Sequence, residues 1–217
     1  MESASSRRFG NICVLCSPFV GKDEKFADEA IKLGNVLARE NIRLIYGGGS
    51  MGLMGAVATT TFASGGQVLG VMPKIYQNKY GPTWGRETQV PTVQDRISMM
   101  YQFADAFIIL PGGLDTLEEL ACVASWSSIT MHRKPVGFLN LNGYFNNLFS
   151  FLDNAVENGF MFSEARRLIF AADTIEEMLK KLQTFEHYAG KPTIQFSALG
   201  KRKRDQDKRG LDLDLSL

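Results

Sequence analysis

The chain has few of the residues on which many kinds of chemistry depend. Among 217 residues there are two histidines, His132 and His187, and three cysteines, Cys13, Cys16 and Cys122. Cys13 and Cys16 have CxxC spacing, but no second pair accompanies them and both histidines lie far away in sequence. Two buried thiols are therefore expected rather than a metal or redox centre. An odd cysteine count without a signal-peptide pattern argues for a reducing intracellular compartment. No apolar run approaches the roughly 20 residues that a membrane helix needs, so no membrane association is expected. Charge of one sign is also lacking. The 24 Lys and Arg against 23 Asp and Glu give a net charge of +1, which offers no overall field to nucleic acid, and no sequence-specific nucleic-acid binding is expected. The P-loop spacing does not occur, and although Gly47, Gly49 and Gly52 fall at the spacing G-x-G-x-x-G, no Asp or Glu follows about 20 residues on, which leaves ATP hydrolysis and NAD binding without support.

What the chain does have is alternation. Short apolar runs, "NICVLC" from Asn11, "IRLIYG" from Ile42, "QVLGVM" from Gln67, "DAFIILP" from Asp105, "KPVGFLN" from Lys134 and "RLIFAA" from Arg167, are predicted as strands. Between them helical spacing predicts helices at about Asp23 to Glu40, Met51 to Ser64, Pro91 to Phe103, Asp115 to Ser127, Tyr144 to Asn158 and Thr174 to Phe185. Runs that are apolar throughout suit strands covered on both faces. The expected fold class is α/β: a Rossmann-like, doubly wound, mostly parallel sheet of about six or seven strands with helices on both faces. Its ligand crevice lies at the carboxyl ends of the strands. Lys74 to Gln89 has neither period and reads as a loop leading to that crevice. The predicted organisation is a flexible N-terminus at 1–8, one domain at 9–186 and a disordered, low-complexity tail at 187–217.

Two glycine-rich turns sit where a strand passes into a helix: "YGGGSMGLMG", Tyr46 to Gly55, and "LPGGLDTLEEL", Leu110 to Leu120. Backbone N–H groups and the positive end of a helix dipole converge at such turns, and two of them in one sheet point to a phosphorylated or nucleotide ligand. In the second turn Asp115 and Glu118 have capping-box-like spacing, which assigns both to the helix N-terminus. Glu119 is left over. A carboxylate on the crevice side of that helix can activate water or stabilise a cationic transition state. Arg96, in "VQDRISMM", precedes the strand that delivers the motif and can bring a positive charge into the same crevice.

Taken with "YGGGSMGLMG", Arg96 and Met100, "ADAFIILPGG", "TLEEL" and "KPVGFLNLNGYFNNLFSFLDNAVENGF", the sequence closely resembles the plant LONELY GUY (LOG) family from about Arg8 to Phe185. These are cytokinin riboside 5'-monophosphate phosphoribohydrolases, and their signature PGG-x-GT-x-x-E reads "PGGLDTLEE" here. The resemblance implies a Rossmann-like homodimer or larger oligomer that cleaves the N-glycosidic bond of an N6-prenylated adenosine monophosphate. The products are free base and ribose 5-phosphate, and neither metal nor organic cofactor is required. By family pattern Glu119 acts on the ribose and water side and Arg96 on the leaving base, while Gly112, Gly113 and Thr116 hold the 5'-phosphate. The candidate binding surface extends to Gly47, Gly48 and Gly49, and along the second turn to Leu114, Asp115, Leu117, Glu118 and Ser125. The label "lysine decarboxylase" attached to such sequences has no physical support, since nothing marks a pyridoxal-phosphate lysine.

The sequence departs from that family in four places. The usual Arg-Lys pair is Arg96-Ile97, and the turn that is normally Cys-Gly-Ser-Ser is "CSPF", Cys16 to Phe19. The loop after Lys74 is about two residues shorter and lacks an acidic residue, and the second glycine position of the signature is Asp115. Two unit charges about 4 Å apart at an effective dielectric of about 20 interact by roughly 4 kcal/mol, so a phosphate placed against Asp115 is weakened severely. The expectation is an enzyme with the fold and the catalytic residues of its relatives but weaker or more selective activity.

The tail carries a second reading. "KRKRDQDKR" is a basic cluster of the nuclear-localisation type. "LDLDLSL" places leucines at every second residue, Leu211, Leu213 and Leu215 among them, and resembles the LxLxL repression motif that docks into a co-repressor of the TOPLESS type. The alternative expectation is thus a catalytically impaired, nucleotide-binding relative that recruits a co-repressor in the nucleus, where the enzyme reading expects a cytoplasmic protein.

Overall fold

Strands β1 (Asn11–Leu15), β2 (Arg43–Tyr46), β3 (Val68–Pro73), β5 (Ala106–Ile109), β6 (Val136–Leu139) and β7 (Ile169–Ala172) form at the six predicted apolar runs, and β4 (Arg86–Val90) is added at an edge. The computed structural model that shows this describes residues 9–77, 79–129 and 134–185. Helices α1 (Glu24–Arg39), α2 (Gly52–Ala63), α3 (Val93–Phe103), α4 (Leu114–Ile129), α5 (Asn146–Glu157), α6 (Ser163–Arg167) and α7 (Ile175–Gln183) lie between and after the strands. The sheet order is β4-β3-β2-β1-β5-β6-β7. Every pairing is parallel, so the sheet is wholly rather than mostly parallel.

Successive side chains alternate between the two faces, and each face has its own core. Ile12, Val14, Leu44, Tyr46, Ala106 and Ile108 pack with α1, α2 and α7. Cys13, Leu15, Ile45, Phe107, Ile109 and Phe138 pack with α3, α4 and α5. Both faces are covered, which is why the strands read as unbroken apolar runs. Gly34 lets α1 and α2 meet closely: a Cβ there would lie 2.7 Å from the Val57 carbonyl oxygen and 2.9 Å from Thr60 Cβ. Gly34→Ala should therefore destabilise the fold by about 1–3 kcal/mol through overpacking, seen as a lower urea midpoint at unchanged slope.

Three expectations are corrected. Lys74 to Gln89 is not loop throughout, because Lys74–Tyr76 makes a 3-10 turn and Arg86 opens β4. With sequence RETQV and one buried residue, Val90, this edge strand buries too little to show a period. Helix α6, of five residues, is too short to show one either. Finally, α4 begins at Leu114, and Leu117 N–H donates to the Gly113 carbonyl at 3.0 Å. Gly113 is thus the cap and Asp115 the second residue of the first turn, so the capping box expected from Asp115 and Glu118 does not form. A capping box is present on α3 instead, between Thr92 and Asp95. None of the described helices is long and apolar enough to cross a membrane. The basic cluster and the leucine motif lie outside the described residues.

Candidate active site

Strand order reverses between β1 and β5, since β2, β3 and β4 lie to one side and β6 and β7 to the other. Doubly wound sheets bind ligands at such a switch point, beyond the carboxyl ends of the strands. The turns after β1, β2 and β5 meet there. Ser17 N–H donates to the Pro111 carbonyl and Met54 N–H to the Ser17 carbonyl, both at 3.2 Å. Gly48 and Gly49 have φ of +81° and +84°, a left-handed pair that L side chains rarely adopt. Tyr144 hydroxyl donates to the Gly112 carbonyl at 2.8 Å and steadies the double-glycine turn.

At the floor of this crevice Arg96 and Glu119 form an ion pair, with Arg96 Nη2 donating to Glu119 Oε1. Their side chains are 16% and 7% exposed. Residue 96 follows directly on the capping box of α3, which fixes the first turn, and Glu119 lies on the second turn of α4. A Cβ on Gly47 would stand 2.0 Å from Arg96 Nη2. The first glycine of "YGGG" therefore makes room for an arginine of the same chain. Arg96 Nε is buried without a hydrogen-bond partner. Burial pushes the Glu119 carboxyl above its ordinary range; the Arg96 guanidinium opposes the shift, and the charges of Asp115 and Glu118 add to it. A carboxylate held this way is ready to accept a proton from water and to face a developing positive charge.

The space above the pair is about 50 Å³ and is bounded by Gly47, Gly48, Arg96, Asp115, Glu118 and Glu119, with Cys16, Pro18, Met54, Tyr76, Tyr80 and Val93 completing it. That is room for a water or two but not for a purine. Tyr80 reaches the crevice because its carbonyl accepts from Ser50 N–H at 2.8 Å, and its ring meets that of Tyr76 edge to face at 5.4 Å. A wider groove of about 860 Å³ lies beyond the ends of β6 and β7, between Lys25, Glu29, Asn142 and Glu176. It holds no predicted site residue, so the chemistry and not the size selects the smaller space. Among the described residues no group of three or more His, Cys, Asp or Glu could hold a metal ion.

The family profile described as "Possible lysine decarboxylase" matches residues 54–182. Cytokinin riboside 5'-monophosphate phosphoribohydrolase LOG4 of Arabidopsis thaliana is 45% identical over 186 residues, 85% of this chain and 86% of the relative. LOG1 of the same plant is 42% identical over 199 residues, 89% and 93% of the two chains. The chain belongs to the LOG family. Among solved structures, the molybdenum cofactor binding protein from Rippkaea orientalis is 20% identical with a TM-score of 0.62, covering 82% of this chain and 98% of its own. The molybdenum cofactor carrier protein from Chlamydomonas reinhardtii has a TM-score of 0.58 at 20% identity, covering 81% and 98%. Both likenesses bear on the fold alone.

A pyridoxal-phosphate enzyme holds its cofactor on a lysine, and among the described residues no lysine bounds the Arg96–Glu119 space, so the decarboxylase description of this LOG-family site finds no anchor among them. Of the residues expected to bind ligand, Gly49, Gly112, Gly113, Leu114, Thr116, Leu117 and Ser125 do not border the space. Thr116 is 1% exposed, with its Oγ1 unpartnered and placed beneath Gly112, whose Cβ would lie 2.1 Å from it. Leu114 is 86% exposed. Ser125 is about 15 Å along the α4 axis from Asp115 at 1.5 Å per residue. Ile97 packs in the core and does not border the space, so the second cation missing at that position is not missing from this wall.

Cys16, Met54, Tyr76, Tyr80 and Val93 were not foreseen, because nothing local in sequence marks a residue brought in by a turn or an aperiodic loop. Burial, then the charges of Glu119 and Asp115, pushes the Cys16 thiol far up, and burial does the same to Cys13. Thiolate is the reactive form. Iodoacetamide at pH 8 should therefore leave both residues unmodified in the native protein and label both after unfolding, as read by peptide mass.

Proposed function

We propose that this LOG-family protein hydrolyses the N-glycosidic bond of N6-prenylated adenosine 5'-monophosphates to free base and ribose 5-phosphate, at lower efficiency than its named relatives. The observation that carries the reading is the buried Arg96–Glu119 pair at the floor of the switch-point crevice. Cleaving an N-glycoside passes through an oxocarbenium-like transition state, for which a fixed carboxylate is the suitable counter-charge. Glu119 faces that charge and takes a proton from the attacking water. Arg96 holds Glu119 in place and offers positive charge to the departing base. The 50 Å³ floor suits the water, with the sugar above it and the base along the Tyr76 and Tyr80 wall, where aromatic rings can stack on a purine. Gly112 and Gly113, at the N-terminus of α4, suit the 5' end. The reading includes a homodimer and a cytoplasmic protein, with the tail motifs adding nuclear co-repressor recruitment as a separate role.

Incubating the purified protein with N6-isopentenyladenosine 5'-monophosphate should release free base above a Glu119→Gln control, at a rate that Asp115→Gly increases. No release above that control refutes the reading. A normal efficiency that Asp115→Gly leaves unchanged refutes the weakened activity. Deleting 201–217 should reduce nuclear accumulation and co-repressor binding, and unchanged values of both remove the tail's role.

A further inference from the structure

Tyr144 is half exposed, yet its ring and its hydroxyl are both held. The ring meets Phe26 edge to face at 5.9 Å and Phe145 at 4.9 Å. The turn that carries it, after β6, is fixed by Asn140, whose Oδ1 accepts from Phe145 N–H and whose Nδ2 donates to Asn146 Oδ1, both at 2.8 Å. Asn142, at φ +53°, ties the same turn to the start of α1 by donating from Nδ2 to Asp23 Oδ2 at 2.8 Å. The Tyr144 hydroxyl then donates to the Gly112 carbonyl at 2.8 Å. Tyr144 does not border the Arg96–Glu119 space, and β6 lies across β5 from β1, so the carbonyl is drawn away from the crevice. The Gly112–Gly113 peptide is trans, and in a trans peptide the N–H points opposite to the carbonyl. Gly113 N–H is therefore aimed at the crevice, at the N-terminus of α4. Glycine adopts both signs of φ about equally. Without the Tyr144 hydroxyl this peptide is free to turn over and present its oxygen there, which repels an anion. Thr116 Oγ1, beneath Gly112, is buried and unpartnered, so the turn keeps an unspent donor as well.

We infer that Tyr144 is a positioning residue of the reaction: by holding the Gly112 carbonyl it keeps Gly113 N–H turned toward the 5'-phosphate of the substrate. The inference rests on the phosphoribohydrolase reading above. Tyr144 touches neither the scissile bond nor the attacking water, so its effect falls on the binding of the nucleotide and not on the chemical step. Binding lost equally from the ground state and the transition state raises KM and leaves kcat as it was.

Tyr144→Phe removes the hydroxyl and keeps both ring contacts, and circular dichroism confirms equal folding. With N6-isopentenyladenosine 5'-monophosphate its KM should be at least about threefold that of the wild type, the scale of one lost hydrogen bond, while kcat stays within about twofold. The inhibition constant of N6-isopentenyladenosine, which lacks the phosphate, should not rise with it. A KM raised less than threefold overturns the inference and leaves the phosphoribohydrolase reading standing. A kcat lowered more than twofold overturns it as well, since the hydroxyl then acts on the chemistry, and so does a nucleoside inhibition constant that rises as much as KM, since the loss is then not of a phosphate contact. Wild-type release of base no faster than that of Glu119→Gln overturns the phosphoribohydrolase reading itself, and this inference with it.

Discussion

Glu119→Gln should lower base release by about 10²–10⁴-fold, the range over which a positioned acid–base group contributes. Gln keeps the size of the side chain and an oxygen that can accept from Arg96, so the loss reports the charge and not the packing. The pH dependence carries the same signature. Glu119 must be ionised to act, and burial raises its pKa, so the acid limb of the kcat profile should lie above the ordinary glutamate value of about 4.3 and should be absent from whatever activity Glu119→Gln retains. Stability follows with a definite sign. A carboxyl whose folded pKa is raised binds its proton more tightly in the folded state. Its contribution is fully present below the unfolded value and is lost as pH rises through the folded one. Wild-type stability should therefore fall across that window relative to Glu119→Gln, which has no proton to lose, as read by urea midpoints from pH 4 to 7.

Gly47→Ala should be nearly as damaging, although residue 47 need touch no substrate. The new Cβ would lie 2.0 Å from Arg96 Nη2 and 2.7 Å from Cζ, and the guanidinium is the group able to move. Gly47 is not among the positive-φ glycines, so backbone strain does not confuse the result. Once displaced, Arg96 leaves Glu119 buried and unpaired. Removing one partner of a buried pair costs about 3–5 kcal/mol, and the 16% exposure of the Arg96 side chain moves the expected loss toward the lower figure. The Glu119 pKa then rises further, since its chief opposing influence is gone. A smaller ionised fraction at neutral pH and a misplaced cation together should lower activity by about 10²-fold or more. Urea unfolding and base release read the two effects separately, and near-wild-type values of both would mean that the pair does not depend on Gly47.

The fold was legible wherever burial leaves a pattern. Six strands show as apolar runs because helices cover both faces, whereas β4 pairs only with β3, exposes most of its residues and shows no pattern. Glu119 was legible by elimination, once Asp115 and Glu118 were assigned to the helix start. That assignment holds for Asp115 only in that it stands in the first turn, because Gly113 takes the cap. Gly47 was legible as a glycine needing close approach, but not as one approached by Arg96, 49 positions on. The segment from Lys74 was legible as one leading to the crevice, but not that Tyr76 and Tyr80 are its residues that border the space, since a hydrogen bond from Ser50 N–H to the Tyr80 carbonyl is a tertiary fact without a local sequence signal.

The central claim is that the Arg96–Glu119 pair cleaves an N-glycosidic bond in this crevice. The most direct measurement is free base released from N6-isopentenyladenosine 5'-monophosphate by equal amounts of folded wild type, Glu119→Gln and Gly47→Ala. The account predicts release by the wild type about 10²-fold or more above both variants. Wild-type release no faster than that of Glu119→Gln would contradict it.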